Sequence, residues 1–301
     1  MQVHSAPART GERGCPGGNT VGDQAAHGHD QGNGDVFLGQ DQPHSARMYD
    51  YYLGGKTNYS VDREAAQAVI RLFPAIETVA RVNRAYMHRA ARYLAQQCGM
   101  RQFIDVGTGI PTAPNLHEVV QDVAPECRVM YIDNDPIVLV YADELLAGTP
   151  EGRTGYVQAD ATDPDAVLAA VEAEGVVNLG EPVVLSLHAL LHFVPDDRDP
   201  YGIVRGFMDR LAPGSYLSLT HCTGDFAPET WEAIIDTYVQ RGTPAQVRSR
   251  AEVVRFFEGL ELVEPGVVLA HQWHPQVGSG PGVLSDRLVS LYAGVGQKGR
   301  Q

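Results

Sequence analysis

From residue 102 onward, the sequence alternates short apolar runs with segments of helical spacing, and this alternation constrains the fold more than any other feature. The predicted strands are 102–106, 128–132, 154–158, 182–187 and 214–220. The helices predicted between them are 113–123, 135–146, 163–173 and 197–211. Strands separated by helices are typical of a parallel sheet with helices on both faces. The pattern therefore predicts an α/β fold.

Both ends of the chain depart from this alternation. Residues 1–43 are rich in Gly, Gln, Asp and His and have no apolar period, so we predict a disordered tail. Helical patterns over 45–53, 62–73 and 77–97 then predict an N-terminal helical cap or lid over 44–100, ahead of an α/β domain over 101–296. The last predicted elements are helices 229–240 and 249–257 and strands 260–270 and 287–293, the two strands forming a hairpin-like edge.

Charge and cysteine content exclude several classes of protein. The 301 residues include 23 Lys and Arg against 37 Asp and Glu, a formal charge of −14. Nucleic acids and anionic membranes attract clustered basic side chains, so neither is expected as a partner. We find no apolar run of the roughly 20 residues that a membrane span needs and no signal-peptide pattern. The four cysteines lack metal-site spacing, and we expect reduced thiols in a cytoplasmic protein.

The first predicted strand runs into a glycine loop, Asp105-Val-Gly-Thr-Gly109. Ligands of open α/β sheets bind beyond the carboxyl ends of the strands, where glycines let backbone N–H groups approach them. The third glycine of the dinucleotide fingerprint is missing, and Pro111 removes an N–H where a pyrophosphate would lie. Asp105 would repel a pyrophosphate and favour a cation. The loop therefore indicates a nucleotide-like ligand but disfavours a nicotinamide dinucleotide.

Two more acids follow the next two predicted strands. Asp133 comes 24 residues after Gly109, near the separation expected for a carboxylate that binds ribose hydroxyls. Asp160 follows the third strand and is placed to accept a bond from an exocyclic adenine amine. One such acid alone is more typical of a helix cap. Three acids at successive strand ends favour a nucleoside site.

These motifs together resemble class I S-adenosylmethionine methyltransferases. The blocks Ser45-Ala-Arg-Met-Tyr-Asp-Tyr-Tyr-Leu-Gly-Gly-Lys-Thr-Asn58, Gly107-Thr-Gly-Ile-Pro-Thr112 and Tyr131-Ile-Asp-Asn-Asp-Pro136 are similar to one bacterial family of S-adenosyl methyltransferases, long catalogued as a domain of unknown function. The resemblance covers about residues 43–294. It implies a Rossmann-like, doubly wound, seven-stranded sheet of order 3-2-1-4-5-7-6, with strand 7 antiparallel.

The resemblance also implies S-adenosylmethionine as cofactor, S-adenosylhomocysteine as product and a set of residues that bind them. Asp105, Gly107, Thr108 and Gly109 would line the methionine moiety. The other implied cofactor-binding residues are Asp133 and Asn134 at the ribose, Asp160 and Ala161 at the adenine, and Ser186. The α-carboxylate needs a donor, for which a backbone N–H, Lys56 and an arginine of helix 77–97 are the alternatives.

The N-terminal block contributes candidates for the substrate side. Gly54-Gly-Lys-Thr57 is not a phosphate loop, because Asp50 replaces the required glycine and no strand precedes it. If the cap covers the cofactor cleft, the lid or substrate-wall candidates are Tyr49, Tyr52, Lys56, Asn58 and Arg84. Simple packing of a helical cap explains these residues equally well. The arginines of helix 77–97 are most simply explained as a solvated face; the alternative is that Arg81 or Arg84 reaches the cleft and pairs with a carboxylate.

Two histidines follow the fourth predicted strand, in Ser186-Leu-His-Ala-Leu-Leu-His192. His188 or His192 would serve as a base or contact the substrate if the nucleophile carries a proton, because histidine titrates near neutrality. Packing is the alternative for both. A metal pair is disfavoured because no glutamate follows the first histidine and no third ligand is evident, so we expect no metal.

The sequence as a whole favours a bacterial, cytoplasmic enzyme that methylates a small molecule at O, N or C. An Asn/Asp-Pro-Pro-Tyr signature, which holds an exocyclic amine in nucleobase and protein amide methyltransferases, is absent after strand four. Two alternatives stay open. One is a regulatory protein that binds S-adenosylmethionine or S-adenosylhomocysteine without transferring the methyl group. The other, which the glycine loop disfavours, is an NAD-dependent oxidoreductase.

Overall fold

A single sheet of eight strands organises the chain, with neighbours in the order β3-β2-β1-β4-β5-β8-β6 and the short β7 paired with β8. The computed structural model describes residues 41–145, 148–275 and 284–299. Its strands are β1 (Gln102–Val106), β2 (Arg128–Asp133), β3 (Arg153–Gln158), β4 (Val184–His188), β5 (Tyr216–Cys222), β6 (Leu260–Leu262), β7 (Val268–Leu269) and β8 (Leu291–Lys298). The first five are mutually parallel, and β8 runs antiparallel to β5. The predicted α/β class and strand order are confirmed, with the short β7 as an eighth strand beyond the predicted seven.

Helices connect the strands, as the alternating pattern predicts. They are α1 (Ser45–Tyr52), α2 (Ser60–Leu72), α3 (Ile76–Gln96), α4 (Leu116–Val123), α5 (Pro136–Leu145), α6 (Pro164–Glu174), α7 (Pro200–Arg210), α8 (Pro228–Val239), α9 (Arg250–Arg255) and α10 (Asp286–Val289). Two short 3-10 helices, Leu191–Phe193 and Asp196–Arg198, lie between β4 and α7. Several helices begin at a proline after a polar cap, a position where the missing N–H costs nothing.

The core lies on both sides of the central strands. β4 and β5 are almost entirely buried, and their apolar residues are interrupted by buried polar ones, among them Ser186, Ser218 and Thr220. The long helix α3 buries one face, including Tyr86 and Leu94, and contacts β4 and β8. The N-terminal helices are therefore packed on the sheet that carries the strand-end loops.

The last strands differ from their predicted bounds. The predicted strand 260–270 is interrupted into β6 and β7, and the predicted strand 287–293 starts four residues later, at Leu291. Gly294 and Gly296 weaken the strand signal of this segment, since glycine disfavours strands. A β-carbon at Gly296 would lie 2.9 Å from the Phe257 ring, so the ring occupies space that only glycine leaves open. Packing against Phe257 thus explains why β8 contains glycines, which lower its local strand propensity.

Three further observations bear on the expected class. Within the described ranges, no helix is both long and apolar enough to cross a membrane. The same residues contain no group of three or more His, Cys, Asp or Glu side chains placed to hold a metal ion. Cys98, Cys127 and Cys222 are free thiols. The predicted tail over 1–43 lies mostly outside the described residues.

Candidate functional site

A cavity opens at the carboxyl ends of β1, β2, β3 and β4, where open α/β sheets bind ligands. Its polar end is lined by Asp105, Gly107, Thr108, Gly109, Asp133, Asn134, Ala159, Asp160, Ala161 and Thr162. Most of the residues that the sequence assigns to a cofactor therefore lie along one wall. The parallel strands bring them together because all of their carboxyl ends share one edge of the sheet.

The glycine loop after β1 has a backbone that only glycine adopts freely. Gly107 and Gly109 have φ angles of +73° and +68°, in the left-handed region. A β-carbon at Gly107 would lie 2.6 Å from Leu190 Cδ1, so this residue also allows the loop after β4 to approach closely. The loop is tied to the next strand by the N–H groups of Gly107 and Thr108, which both donate to the carbonyl of Ile132.

Asp105 ends the polar wall nearest the sheet. The hydroxyl of Thr108 donates to its backbone carbonyl and lies 3.4 Å from its carboxylate. Loss of hydration raises the pKa of Asp105 to about 7, an effect that the nearby Arg84 partly offsets and Asp133 adds to. A carboxyl group held in this way gains most from a cation placed beside it.

Asp133, at the end of β2, is buried and already holds two backbone N–H groups. Its Oδ2 accepts from Gly109 at 2.7 Å and its Oδ1 accepts from Asp135 at 2.9 Å. Burial raises its pKa, and these two hydrogen bonds oppose that rise. Each carboxylate oxygen retains a further lone pair, so the side chain can accept ligand hydroxyls while it fixes the glycine loop.

Asp160 lies at the open side of the same end. It is exposed, and its Oδ1 accepts from both the N–H and the hydroxyl of Thr162, each at 2.9 Å. These contacts form a local turn that holds the side chain at the rim. The other carboxylate oxygen makes no hydrogen bond within the described part of the chain, and Ala161 lines the cavity beside it.

Residues 34–299 of the chain match a family model that is described as S-adenosyl methyltransferase. The chain belongs to the S-adenosyl methyltransferase family. It is an S-adenosylmethionine-dependent methyltransferase. This family membership argues against the alternative of an NAD-dependent oxidoreductase.

Solved structures agree with this family. A DUF574 family protein from Streptomyces avermitilis is 48% identical, with a TM-score of 0.84 over 87% of this chain and 99% of its own. A protein from Thermobifida fusca is 35% identical, with a TM-score of 0.80 over 87% of this chain and 98% of its own. The plantazolicin methyltransferase BamL, 10% identical with a TM-score of 0.50, shares the fold alone, over 85% of this chain and 96% of its own. Among curated proteins, none matches the sequence.

Helix α1 borders the methyltransferase cavity along its whole length, and its cavity-lining residues recur at helical spacing: Ser45, Ala46, Tyr49 and Tyr52. Its N-terminus lies at the polar end, where His44 Nδ1 is 3.1 Å from Asp135 Oδ2. Its last residue lies at the other end, where the Tyr52 and Tyr238 hydroxyls are 3.0 Å apart. A single short helix therefore touches both ends of the cavity.

A buried ion-pair cluster, which the sequence did not reveal, holds α1 in place. Arg47 is 2% exposed, and its Nε lies 3.3 Å from Asp62 Oδ1 and 3.8 Å from Asp135 Oδ2. Asp62 also accepts the N–H groups of His44 and Tyr59. Arg47 lies in the 45–58 segment on which the family resemblance rests, so the sequence did mark this region. The partners of Arg47 could not be predicted, because Asp62 and Asp135 lie 15 and 88 positions further along the chain.

The far end of the cavity is apolar and aromatic. Its walls come from α1, α3, α8, the start of β8 and the loops after β4 and α8. The residues are Tyr52, Ile76, Val79, Phe193, Val194, Trp231, Ile234, Ile235, Tyr238, Ala245, Val247 and Leu291. The Tyr52 and Tyr238 hydroxyls bond to each other, and burial raises the pKa of both, so each stays protonated. The Phe193 ring lies 5.5 Å from the Tyr238 ring. The residues of this end are uncharged, and the exposed Arg198, from the loop after β4, also lines the cavity.

His188 and His192 both line the cavity between its two ends. His188 ends β4, and its Nε2 lies 2.9 Å from Ser218 Oγ. Burial lowers the pKa of each ring to about 3; the positive charge of Arg84 adds to this at His188 and that of Arg248 at His192. Both rings are therefore neutral near pH 7 and present a nitrogen lone pair.

A second buried arginine supports the loop that carries His192. Arg248 donates to the carbonyls of Leu191 and Val194, to Asp196 and to His221 Nε2. The His221 Nδ1 lies 2.7 Å from the carbonyl of Cys222, which assigns the ring proton to Nδ1 and leaves Nε2 as the acceptor for Arg248. The guanidinium thus fixes the 191–194 backbone beneath the apolar end.

Three residues predicted for the site lie away from the cavity. Ser186 is buried within β4, in register with Asp105 and Ser218, and does not reach the wall. Lys56 is exposed. Asn58 donates to Asp50 Oδ2 at 2.7 Å and to the Gly55 carbonyl, which closes the turn after α1. These residues are close to site residues in sequence. The pleat of β4 and the turn after α1 nevertheless direct their side chains away from the cavity.

The arginine face of α3 is only partly solvated. Arg81 is exposed and pairs with Glu77. Arg84 lines the cavity and donates to the carbonyls of Thr112 and Pro114, whereas Arg89 donates to those of Ala270 and Trp273. The interpretation of a uniformly solvated face is therefore wrong for these two, because backbone carbonyls of the covering loops need donors.

Proposed function

We propose that this methyltransferase acts on an uncharged, largely apolar small molecule that presents an O–H or N–H group to the neutral histidines between the two cavity ends. The observation that supports this acceptor class is that one cavity has a polar, acidic end and an apolar, aromatic end. The net charge of −14 also disfavours nucleic-acid acceptors, which are polyanions.

The residues of the polar end fit the cofactor. When bound, S-adenosylmethionine supplies a methyl group on a cationic sulfonium, which a nucleophile displaces in line. Asp105 would pair with the α-ammonium, since its desolvated carboxyl favours a neighbouring cation. Asp133 would accept the ribose hydroxyls, and Asp160 the adenine amine. Arg84 lines the cavity and is the candidate donor to the α-carboxylate, whereas Lys56 does not line it.

The apolar end supports the acceptor class. The lining residues from α8 and from the loops 189–194 and 245–247 are uncharged near neutral pH. This includes His188 and His192, because burial lowers the pKa of both rings. A charged group buried among these residues would lose its hydration, which is costly unless Arg84 or Arg198, the arginines that also line the cavity, pairs with it. A ring-bearing acceptor instead buries apolar surface against Phe193 and Trp231, at about 25 cal/mol per Å².

The histidines orient the acceptor. In the neutral form each ring carries one N–H and one lone pair, and the lone pair accepts the acceptor's O–H or N–H. A fixed hydrogen bond holds the nucleophilic atom in one direction, and alignment alone contributes about 7–11 kcal/mol to such displacements. The Phe193 and Trp231 rings would exclude water from the same space.

The acceptor class can be tested with paired probes. The protein is incubated with methyl-labelled S-adenosylmethionine and either naphthol or hydroxynaphthoate, which differ by one carboxylate. We expect label transfer to, or saturable binding of, naphthol and not of hydroxynaphthoate. Preference for the charged probe, or equal indifference to both while S-adenosylhomocysteine binds in calorimetry, would refute the apolar acceptor class.

A further inference from the structure

A chain of buried hydroxyl groups leads from His188 into the sheet. His188 Nε2 lies 2.9 Å from Ser218 Oγ, on the neighbouring strand β5. Ser218 Oγ lies 3.2 Å from the Tyr86 hydroxyl, which projects from α3. The Tyr86 hydroxyl donates to the carbonyl of Gly294, on β8, at 2.8 Å. Tyr86 and Ser218 are 0% and 1% exposed, so water does not compete for these contacts.

The direction of this chain follows from counting protons. A carbonyl only accepts, so the single Tyr86 proton goes to Gly294. Ser218 then has one proton for two neighbours, Tyr86 and His188. If Ser218 gave it to His188, two lone pairs would face each other between Ser218 and Tyr86. If Ser218 gives it to Tyr86, all three contacts are satisfied, provided that Nε2 of His188 carries the ring proton.

We infer that the Tyr86–Ser218 pair fixes His188 in its Nε2–H tautomer, so that Nδ1 is the nitrogen that accepts the acceptor's O–H or N–H. Nδ1 has no hydrogen-bond partner within the described residues, and His188 lines the cavity. Tyr86 and Ser218 are positioning residues, because they act through His188. Only the purpose of Nδ1 rests on the proposed function; the tautomer does not.

The chain also distinguishes the two candidate histidines. His192 Nδ1 is buried without a partner in the described structure, and no comparable hydroxyl chain selects its tautomer. His188 is further fixed by Tyr86, whose ring meets the imidazole edge-on at 5.6 Å. Of the two rings at the centre of the cavity, His188 is therefore the one with an assigned lone pair.

The test reads the tautomer directly, without an acceptor. Protein labelled with 15N-histidine is studied by two-bond proton–nitrogen correlation near pH 7, and His188 is assigned from the signals lost in His188→Gln. We expect the Nε2–H pattern in the unmodified protein. In Tyr86→Phe, Ser218 loses its acceptor and is free to donate to Nε2, so His188 should change to Nδ1–H.

The matched control is Tyr93→Phe. Tyr93 lies two turns further along α3 and, like Tyr86, packs edge-on against Trp273, at 5.6 Å against 5.4 Å. It should leave the His188 pattern unchanged. Ser218→Ala, which removes only the small hydroxyl, should give a mixed tautomer and provides a second variant should Tyr86→Phe fail to fold.

Two results would overturn the inference: an Nδ1–H ring in the unmodified protein, or an Nε2–H ring that persists in folded Tyr86→Phe. Calorimetry with S-adenosylhomocysteine on the same samples separates this failure from failure of the proposed function. The expected tautomers together with rejection of apolar acceptors would refute only the proposed acceptor class. Wrong tautomers together with acceptance of naphthol would refute only the hydroxyl chain.

Discussion

At the polar end of the cavity, the key groups lie within a few residues of three consecutive strand ends, whereas at the apolar end they come from segments as far apart as Tyr52 and Tyr238. The polar end is built from the sheet itself, with Asp133 holding the glycine loop through backbone N–H groups. The apolar end is built from helices and loops laid over the sheet. One end is thus determined by the fold and the other by what covers it.

In the proposed function, cofactor binding and acceptor specificity belong to different ends of the cavity. The polar end would keep one cofactor, because Asp133 cannot move without releasing the glycine loop. The apolar end can change its acceptor through α8 and the 191–194 loop while the sheet stays as it is. A buried arginine stabilises each: Arg47 at the polar end and Arg248 beneath the apolar end.

The largest expected effect is on stability, from Arg248→Met. Its removal leaves the Leu191 and Val194 carbonyls and His221 Nε2 buried without their donor. We expect a loss of about 3–5 kcal/mol in the free energy of unfolding, because each buried acceptor left without its donor costs about 1–3 kcal/mol. Urea unfolding measures it.

The control for this variant is Arg255→Met. Arg255 lies over the same Tyr201 ring, 4.2 Å from its centre, but its ion pair with Glu258 is exposed. Its loss should cost less than about 1 kcal/mol. A similar loss in both variants would contradict the special role of Arg248. Weakened S-adenosylhomocysteine binding in folded Arg248→Met would contradict the independence of the two ends.

The next effect is on cofactor affinity, from Asp133→Ala. Removing its charged hydrogen bonds should weaken S-adenosylhomocysteine binding by about 1–3 kcal/mol, or roughly five- to 150-fold, in calorimetry. Asp163→Ala is the control, since Asp163 caps α6 through the Ala166 N–H and does not line the cavity. An unchanged affinity in Asp133→Ala would refute the ribose assignment.

A pH effect of smaller size is expected from Asp105. Its pKa of about 7 in the ligand-free protein means that the carboxyl is increasingly protonated as the pH falls below that value. A cationic ammonium binds the ionised form and lowers this pKa, so affinity for the cofactor should fall on acidification, by at most tenfold per pH unit. Calorimetry in buffers of different ionisation enthalpy should detect proton release on binding near pH 7. Asp105→Asn should abolish that release, and an affinity independent of pH in the unmodified protein would contradict this assignment.

The smallest effect concerns the tyrosine pair at the apolar end. Tyr238→Phe leaves the Tyr52 hydroxyl buried without its partner, which should cost about 1 kcal/mol in unfolding free energy. Tyr52→Phe with Tyr238→Phe should cost less than the sum of the single changes, because no orphaned hydroxyl remains. Additive losses in this double-mutant cycle would mean that the two hydroxyls do not depend on each other. Cofactor affinity should stay constant throughout.

The sequence predicts the polar end well for a physical reason. A strand of a parallel sheet shows in the sequence as a short apolar segment, so its carboxyl end can be located, and Asp105, Asp133 and Asp160 each lie within two residues of such an end. The observed β1 matches its predicted bounds, and β2 and β3 differ by one residue. Edge strands such as β8 are harder, because Gly294 and Gly296 are explained only by the distant Phe257 ring.

The apolar end could not be predicted in the same way. Nothing local distinguishes Trp231 or Phe193 from ordinary core residues, and their common wall exists only after α8 packs beside α1 and α2. Ser186 shows the opposite error, since it lies near site residues in sequence but inside the sheet in space. Arg248 follows an irregular segment, and its buried role depends on carbonyls more than fifty positions away.

Helix α1, which touches Asp135 through His44 and Tyr238 through Tyr52, has a kinetic consequence. Eight residues of helix span only about 12 Å, too short to bend independently at each end. Displacing α1 to admit a ligand at one end therefore loosens contacts at the other. We expect exchange of spent cofactor and departure of methylated product to share a single opening event.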